Sequence, residues 1–457
     1  MFFVFFVLCA AYSAADQSYF QGIELLSDRN YTQGFEVIPS CPNNPDQCAR
    51  GPYYRLYNPF STAPNTSATW QMVQWNSHSN ITTNGTFVDD GQSKGIEWSN
   101  NDKRLILFQD GRLQFSVDGF HEYGGHYRAP DTPWACLLIQ ENIGIASGAI
   151  PLSQVSELRW DFNIRLLYMN QHIEPGYNPS FYAGIFPLYI TIQNLLQGDP
   201  EYGKYFWLGL CTYDDRVLMS PLYVNGDAGT GALIYQPAFS NFANVSVHSG
   251  NIVHVTGDMM PFVRLGLQAA MERGFLNSTD LNKYYVGGMN IGWEVTGLNN
   301  GTIEIGSLSL KQYTANNPKS YEFNYDGDRE GWTATFDRNQ NVDGPRNGRW
   351  ILVPTGHASQ MISPSIMIDS SVVKKIVINM IADNNVQLFW SENNEESFDE
   401  NDSIWIEIKN DGKWHEYVLD LSNHSRWNGI VRRLRIGPVQ HTHDVQFGID
   451  YIRFAGY

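Results

Sequence analysis

Leu158-Arg159-Trp160-Asp161-Phe162-Asn163-Ile164-Arg165-Leu166 alternates without a break. Trp160, Phe162, Ile164 and Leu166 fall on one side and Arg159, Asp161, Asn163 and Arg165 on the other, the period of a strand with one buried and one wetted face. The polar side is either plain solvent surface or the wall of a wet cleft. Outward from this stretch, Leu158 to Met169, Tyr182 to Gln193, Tyr205 to Tyr213 and Tyr285 to Val295 read as strands separated by turn residues. One segment departs from the pattern: Met259 to Arg273 reads as a helix, with Asp258 placed to cap it, Pro261 in the first turn and Gly274 at its end. Its apolar positions Phe262, Leu265, Leu267, Ala269, Ala270 and Met271 predict a helix packed on the outside of a β-sandwich.

The 457 residues exceed what one core usually holds, and the polar run Thr314-Ala315-Asn316-Asn317-Pro318-Lys319 offers a seam. The expectation is an all-β chain of two β-sandwich domains of jelly-roll or concanavalin-like kind, 16–314 and 320–457, the first carrying the helix. Residues 1–15 are an apolar run ending in small residues and read as a signal peptide, so the mature chain is expected to be secreted, with no membrane insertion. Nine Asn-X-Ser/Thr sequons between Asn30 and Asn423 fit that route. Cys41, Cys48, Cys136 and Cys211 then remain as an even set. Cys41 is expected to pair with Cys48 and, by elimination, Cys136 with Cys211, free buried thiols at the last two being the alternative. A net charge of -17 makes nucleic acid a poor partner.

Tyr321-Glu322-Phe323-Asn324-Tyr325-Asp326-Gly327-Asp328-Arg329-Glu330-Gly331-Trp332 opens the last third of the chain, and Val445-Gln446-Phe447-Gly448-Ile449-Asp450-Tyr451-Ile452-Arg453-Phe454 closes it. With Ser363-Pro364-Ser365-Ile366 and Asp411-Gly412-Lys413-Trp414 between them, this pattern resembles the β-jelly-roll modules that accompany secreted glycoside hydrolases, lyases and esterases. The resemblance implies carbohydrate as the partner. It also implies a structural Ca2+ near Asp326, Asp328 and Asp450, with Glu322 a further candidate, although Asp326-Gly327-Asp328 also suits an ordinary turn. Independently of it, Ile404, Ile406 and Ile408 alternate with Trp405, which makes Trp405 the first candidate for a sugar platform and Trp390 the second; both indoles covering the core edge is the competing reading.

The first domain carries no GxSxG elbow, P-loop, HExxH or dinucleotide fingerprint. Its densest polar and aromatic stretch is Phe120 to Trp134, where His126, Arg128, Tyr123 and Trp134 sit among glycines. Such a set suits β-elimination of a uronic acid, with Arg128 neutralising the carboxylate; a turn packed by its own aromatics is the alternative. His172, beside Glu174, follows the opening strand. In Gly287 to Glu294, Asn290, Gly292 and Glu294 share one face, and Glu294 with Asp161 or Glu174 could supply the two carboxyl groups of glycoside hydrolysis. The catalytic candidates are therefore His126, Arg128, His172 and Glu294, with Tyr123, Trp134, Asp161, Trp390 and Trp405 as substrate contacts. No cofactor is required. The expected function is hydrolysis or lysis of an extracellular polysaccharide, with a non-catalytic lectin or matrix protein as the competing class.

Overall fold

Alternation becomes sheet along most of the chain in the computed structural model, which describes residues 19–40, 54–62, 67–81, 83–335, 344–352, 360–395, 397–438 and 447–456. The expected signal peptide and the Cys41–Cys48 pair lie outside the described residues. Two compact units emerge, one spanning Ile23–Gln312 and the other Tyr313–Tyr457 together with Met1–Gly22. The division falls where the polar seam begins. Residues 19–22, expected in the first domain, belong instead to the second unit: the Phe20 N–H donates to the Phe454 carbonyl at 3.0 Å, and the Phe20 ring packs on that unit's core.

Among the described residues the first unit holds a nine-stranded sheet. From edge to edge it runs β13 (Tyr223–Gly226), β14 (Leu233–Gln236), β12 (Tyr205–Asp214), β11 (Gly184–Asn194), β16 (Tyr284–Val295), β9 (Ala135–Asn142), β4 (Trp70–Val73), β2 (Phe35–Ile38) and β3 (Tyr54–Leu56). Its eight-stranded sheet runs β15 (Val253–Asp258), β10 (Glu157–Gln171), β17 (Asn299–Tyr313), β8 (Leu113–Asp118), β7 (Lys103–Phe108), β6 (Lys94–Ser99) and β5 (Thr86–Asp89), with β1 (Ile23–Glu24) also paired to β17. One face of each sheet supplies the common core. Leu158, Trp160, Phe162 and Ile164 of β10 share it with Phe186, Leu188 and Ile190 of β11 and with Met289, Ile291 and Trp293 of β16. The Trp293 indole N–H, fully buried, donates to the Phe115 carbonyl at 2.9 Å, which satisfies the one polar atom that such a residue brings inside.

Two helical segments matter. A single turn, α1 (Gly119–Glu122), follows β8 and is capped by the Asp118 side chain on the His121 N–H. The longer helix, α2 (Met260–Glu272), starts where the Asp258 carboxylate takes the Met260 N–H at 2.9 Å, and it stops before Gly274, whose φ of +78° suits glycine. Its buried positions are Met260, Val263, Gly266, Leu267 and Ala270, rather than the expected face through Leu265 and Met271, both of which are exposed. The helix joins the core instead of lying outside the sandwich, because a Cβ on Gly266 would stand 2.4 Å from the core ring of Phe206. No helix among the described residues is long and apolar enough to cross a membrane.

Cys136 and Cys211 are both free and buried, which corrects the expected disulfide. They sit on β9 and β12 with β11 and β16 between them. Three strand spacings amount to about 14 Å, twice the Cα separation a disulfide tolerates.

The second unit is a smaller sandwich. One sheet runs β18 (Thr333–Thr335), β20 (Gln360–Ile362), β27 (Arg433–Pro438), β23 (Val386–Ser391) and β24 (Ser403–Ile406). The other runs β19 (Trp350–Leu352), β28 (Phe447–Ala455), β22 (Lys375–Ala382) and β25 (His415–Asp420), and β21 (Ile368–Asp369) pairs with β26 (Ile430–Val431). The core between the sheets includes Trp332, Trp350, Leu388, Trp390, Ile436 and Ile452. Both units are therefore all-β sandwiches.

Candidate functional site

The face of the nine-stranded sheet turned away from the core is where polar and aromatic groups gather. On β16, alternation sends Met289, Ile291 and Trp293 inward and leaves Asn290, Gly292 and Glu294 on the other side. Gly292 adopts φ +150°, and a Cβ there would stand 2.2 Å from the Leu137 carbonyl oxygen, so only glycine lets β9 close up beside Glu294. Across the sheet, Tyr189 lies flat over Gly209, where a Cβ would come within 2.4 Å of the ring. Tyr189 meets Trp207 at 5.9 Å between centroids, and Tyr205 meets Trp207 at 5.2 Å. The Trp207 N–H donates to the Thr230 hydroxyl at 3.1 Å, tying the turn between β13 and β14 to this face.

Glu294, the penultimate residue of the central strand β16, lies toward one end of this surface and keeps partial access to solvent. Burial of its carboxyl pushes the pKa up to about 7, opposed by the Trp134 indole N–H that donates to it at 3.2 Å and reinforced by the charge of Asp227. Its cross-strand neighbours are Ile185 on β11 and Cys136 on β9, with Asp214 beyond Ile185. Asp214 and Glu294 are thus two strands apart, about 9.5 Å along the sheet. Asp214 is held in a fork by Arg216, with nitrogen contacts of 2.8 and 2.7 Å. Asp227 accepts from the Gly229 N–H, the Thr230 N–H and the Thr230 hydroxyl of its own turn. Tyr189 feels both carboxyl groups: burial first, then Glu294, and more weakly Asp227, raise its phenol well above the usual range.

The loop 119–134 brings Trp134 to Glu294 from a buried root. Lys103 and Glu122 form an ion pair at 3.3 Å with side chains only 2% and 4% exposed, and His121 is bonded through Nδ1 to Asp102. The Tyr123 hydroxyl donates to the Val295 carbonyl at 2.7 Å and accepts from the Ala135 N–H at 2.8 Å. That hydroxyl is a structural post, so Tyr123 is not the substrate contact expected. The Arg128 guanidinium donates to the carbonyls of Ala129, Pro130 and Thr132 and covers the Trp134 ring at 5.6 Å. Through one guanidinium nitrogen it shapes the loop, and no carboxylate among the described residues pairs with its charge.

The four expected catalytic residues do not converge as a set. Arg128 reaches Glu294 only through Trp134. His172 stacks on Phe120 at 4.5 Å and takes its Nε2 to Asn170 at 3.0 Å, while His126 is exposed on the loop. No hydrogen bond or ion pair among the described residues joins either imidazole to Glu294. Asp161, expected as its partner, stands on the eight-stranded sheet, on the face away from the core, bonded to His254 at 3.1 Å; it lies across the sandwich from Glu294. Glu174 is exposed in a turn beside Tyr127. Sequence reading missed Asp227, Tyr189 and Trp207; the usable signal was Gly209 opposite an aromatic.

In the second unit Trp405 is 52% exposed on its strand, whereas Trp390 is 1% exposed, faces the core and donates its N–H to the Arg426 carbonyl at 3.0 Å. Trp390 is therefore no sugar platform. The carboxylates expected to hold Ca2+ do not fit one as arranged. Asp326 accepts from the Asn347 N–H, Asp328 from the Glu330 N–H and Asp450 from Asn379, and among the described residues no three His, Cys, Asp or Glu side chains gather as metal ligands. The first and last segments are joined instead by Arg453, which grips Glu322 at 2.8 and 2.6 Å, and by backbone pairing of Tyr321 with Ile452.

No known family profile and no curated protein matches this sequence. Among solved structures, a family 12 xyloglucanase from Bacillus licheniformis is similar at 12% identity and a TM-score of 0.31, over 54% of this chain and all of its own. An endoglucanase from Rhodothermus marinus matches at 11% identity and TM-score 0.28, over 53% of this chain and 99% of its own. A low-affinity xylan-binding module from Roseburia intestinalis matches at 12% identity and TM-score 0.22, over 31% of this chain and 96% of its own. At such scores these likenesses add nothing to the fold and site described above, which rest on the residues of the chain itself.

Proposed function

We propose that this is a secreted carbohydrate-active protein whose first unit hydrolyses a neutral polysaccharide laid across the outer face of the nine-stranded sheet, with Glu294 as general acid. The observation that carries the reading is a carboxyl on this face, pushed to about 7 by burial, held by the Trp134 indole N–H and close enough to Tyr189 to raise its phenol. A proton retained near neutrality is what protonation of a leaving glycosidic oxygen needs, and flat rings beside it suit pyranose faces. Asp214, two strands away on the same face, is the candidate for the second carboxyl group that hydrolysis needs. Hydrolysis is favoured over elimination because the group set at this face is a proton-retaining carboxyl, while His172, expected among the catalytic residues, is turned to Phe120 and Asn170.

One observation favours the lectin alternative: Asp227 and Asp214 both have their oxygens engaged, by a turn and by Arg216, so neither is a ready base. The deciding experiment is incubation of the chain and its Glu294→Gln variant with neutral polysaccharides, reading new reducing ends. Cleavage that falls by about 10²–10⁴-fold in the variant is expected. Equal cleavage by both removes Glu294 from the chemistry, and a folded chain that cleaves nothing leaves the lectin reading.

A further inference from the structure

We infer that Asn244 carries an N-linked glycan whose first sugars cover an apolar ridge that the first unit otherwise leaves in water. The inference rests on the secreted reading above and is independent of the chemistry at Glu294. From the end of β12 into β13 the chain runs Val217-Leu218-Met219-Ser220-Pro221-Leu222-Tyr223. Leu218 is 70% exposed and Leu222 57%, with Val217 and Tyr223 exposed beside them. Single exposed apolar side chains are ordinary, but a run of them normally marks a surface that something covers. Residues 244–248 lie alongside. The Ser246 hydroxyl donates to the Leu218 carbonyl, and Val245, itself 51% exposed, extends the ridge.

The sequon Asn244-Val245-Ser246 stands inside this apolar surface, and its neighbours hold it outward. Phe242, Ala243 and Val247 are buried in the core, and the His248 ring lies on Tyr213 at 4.5 Å. The chain is thus anchored on both sides of Asn244 and Val245, which it turns to solvent. The Asn244 side-chain amide makes no hydrogen bond among the described residues. Other sequons differ: the Asn300 Nδ2, within the pairing of β17 with β8, donates to Asp118 at 3.0 Å, and the Asn277 Nδ2 donates to Glu201 at 2.6 Å. Attachment is a group transfer from a polyprenyl-diphosphate oligosaccharide. A bond forms between the Asn244 Nδ2 and the sugar C1 as the C1–O bond to the diphosphate breaks; the amide nitrogen gives up one proton and the diphosphate leaves with the electron pair. The apolar face and acetyl methyl of the first N-acetylhexosamine can then rest on Val245 and Leu218 while its hydroxyls stay in water. A second copy of the chain is the competing occupant of the ridge, and a sugar on Asn244 excludes it.

The test expresses the full chain in a eukaryotic secretory host, recovers it from the medium and treats it with peptide N-glycosidase in heavy-oxygen water, which turns each sugar-bearing Asn into a labelled Asp read by peptide mass. Label at Asn244 and none at Asn300 is expected. Asn244→Gln should raise binding of a dye for apolar surface at least about twofold and bring self-association, and adding Leu218→Ser should reverse both. Enzymatic removal of the sugar from the folded parent should have the same effect, so the result does not hang on how the variant folds. Ser246→Thr, which keeps the acceptor pattern, should behave as the parent does. An unlabelled Asn244 in the secreted chain would overturn the inference, and so would dye binding and association that do not change when the sugar is removed. A chain that stays inside the cell with no Asn labelled would sink the secreted reading and this inference with it, whereas cleavage of polysaccharide is decided separately at Glu294.

Discussion

The outer faces of the first unit's two sheets look alike in sequence and behave differently in structure. On the eight-stranded sheet, Arg159 meets Glu157 and Thr256, Asp161 meets His254, and Arg112 and Arg165 both reach Glu304. Every one of these charges has a polar or oppositely charged partner beside it. On the nine-stranded sheet, Glu294 has an indole N–H, no cation, and a surrounding of rings and thiols that desolvates it. Polar alternation along a strand thus marks a wetted face but not a working one. The difference lies in what the neighbouring strands bring: Glu294 keeps its proton with a ring N–H and no cation, whereas Asp258 at the end of β15, also raised to about 7, accepts the Leu158 and Met260 N–H groups.

The most forceful way to break this comparison is to remove one carboxyl from each face. Glu294→Gln should lower cleavage by about 10²–10⁴-fold, whereas Asp161→Asn, across the sandwich, should leave it within about twofold and shift the melting point by no more than an exposed ion pair does. Equal losses in both would mean that the two faces are not functionally distinct.

This asymmetry explains what could be read beforehand. The strand through Trp160 and Phe162 was legible because one side is apolar and the other charged. Tyr205 to Tyr213 was legible as a strand but not as a face, since Phe206, Leu208 and Leu210 on one side and Tyr205, Trp207 and Cys211 on the other are both apolar, and no periodicity separates core from platform. Glu294 stood out because glycine and asparagine share its face. Asp161 was assigned to it because sequence order says nothing about which sheet a strand joins. Trp405 stands first and Trp390 second as platforms in sequence, yet Trp390 lies within the core and Trp405 outside it; the step of two along a strand fixes a side only once the inner one is known. Pairing the two spare cysteines by elimination failed for a similar reason, since counting ignores the two strands that separate them.

A smaller effect sharpens the contrast through stability. Burial raises Glu141 and Glu294 to about 7, Asp258 to about 7 and Asp215 to about 6, against unfolded values near 4. Below about pH 4 both states are protonated and this contribution is complete. Between there and the folded values the unfolded chain releases protons that the folded chain keeps, so stability falls as pH rises. His121, raised by Asp102, adds stability that is likewise lost at higher pH, while Asp90, Asp102 and Glu330, lowered in the fold, lose theirs as pH drops below about 4. The melting temperature should therefore peak at about pH 4 and be several degrees lower at pH 8. A flat profile, or a maximum above pH 7, would show that the buried carboxyls are already ionised.

The finest test concerns the single hydrogen bond that Glu294 keeps. The Trp134 N–H stabilises the charged form of the carboxyl, opposing the burial that pushes it up. Trp134→Phe keeps a ring over Arg128 and removes only that donor, so the Glu294 carboxyl should move above its value of about 7, by less than roughly one pH unit. If Glu294 is the general acid, the alkaline limb of the kcat profile moves up with it while the plateau changes little. The same displacement should appear in an infrared titration of the carboxyl band, taken as the difference between each chain and its Glu294→Gln counterpart, whether or not the protein cleaves anything. A limb or band that stays in place would mean that Trp134 only fills space beside Glu294. A downward move would mean that the indole shields the carboxyl more than it solvates it, and that the desolvated character of this face comes from Trp134 itself rather than from the sheet beneath.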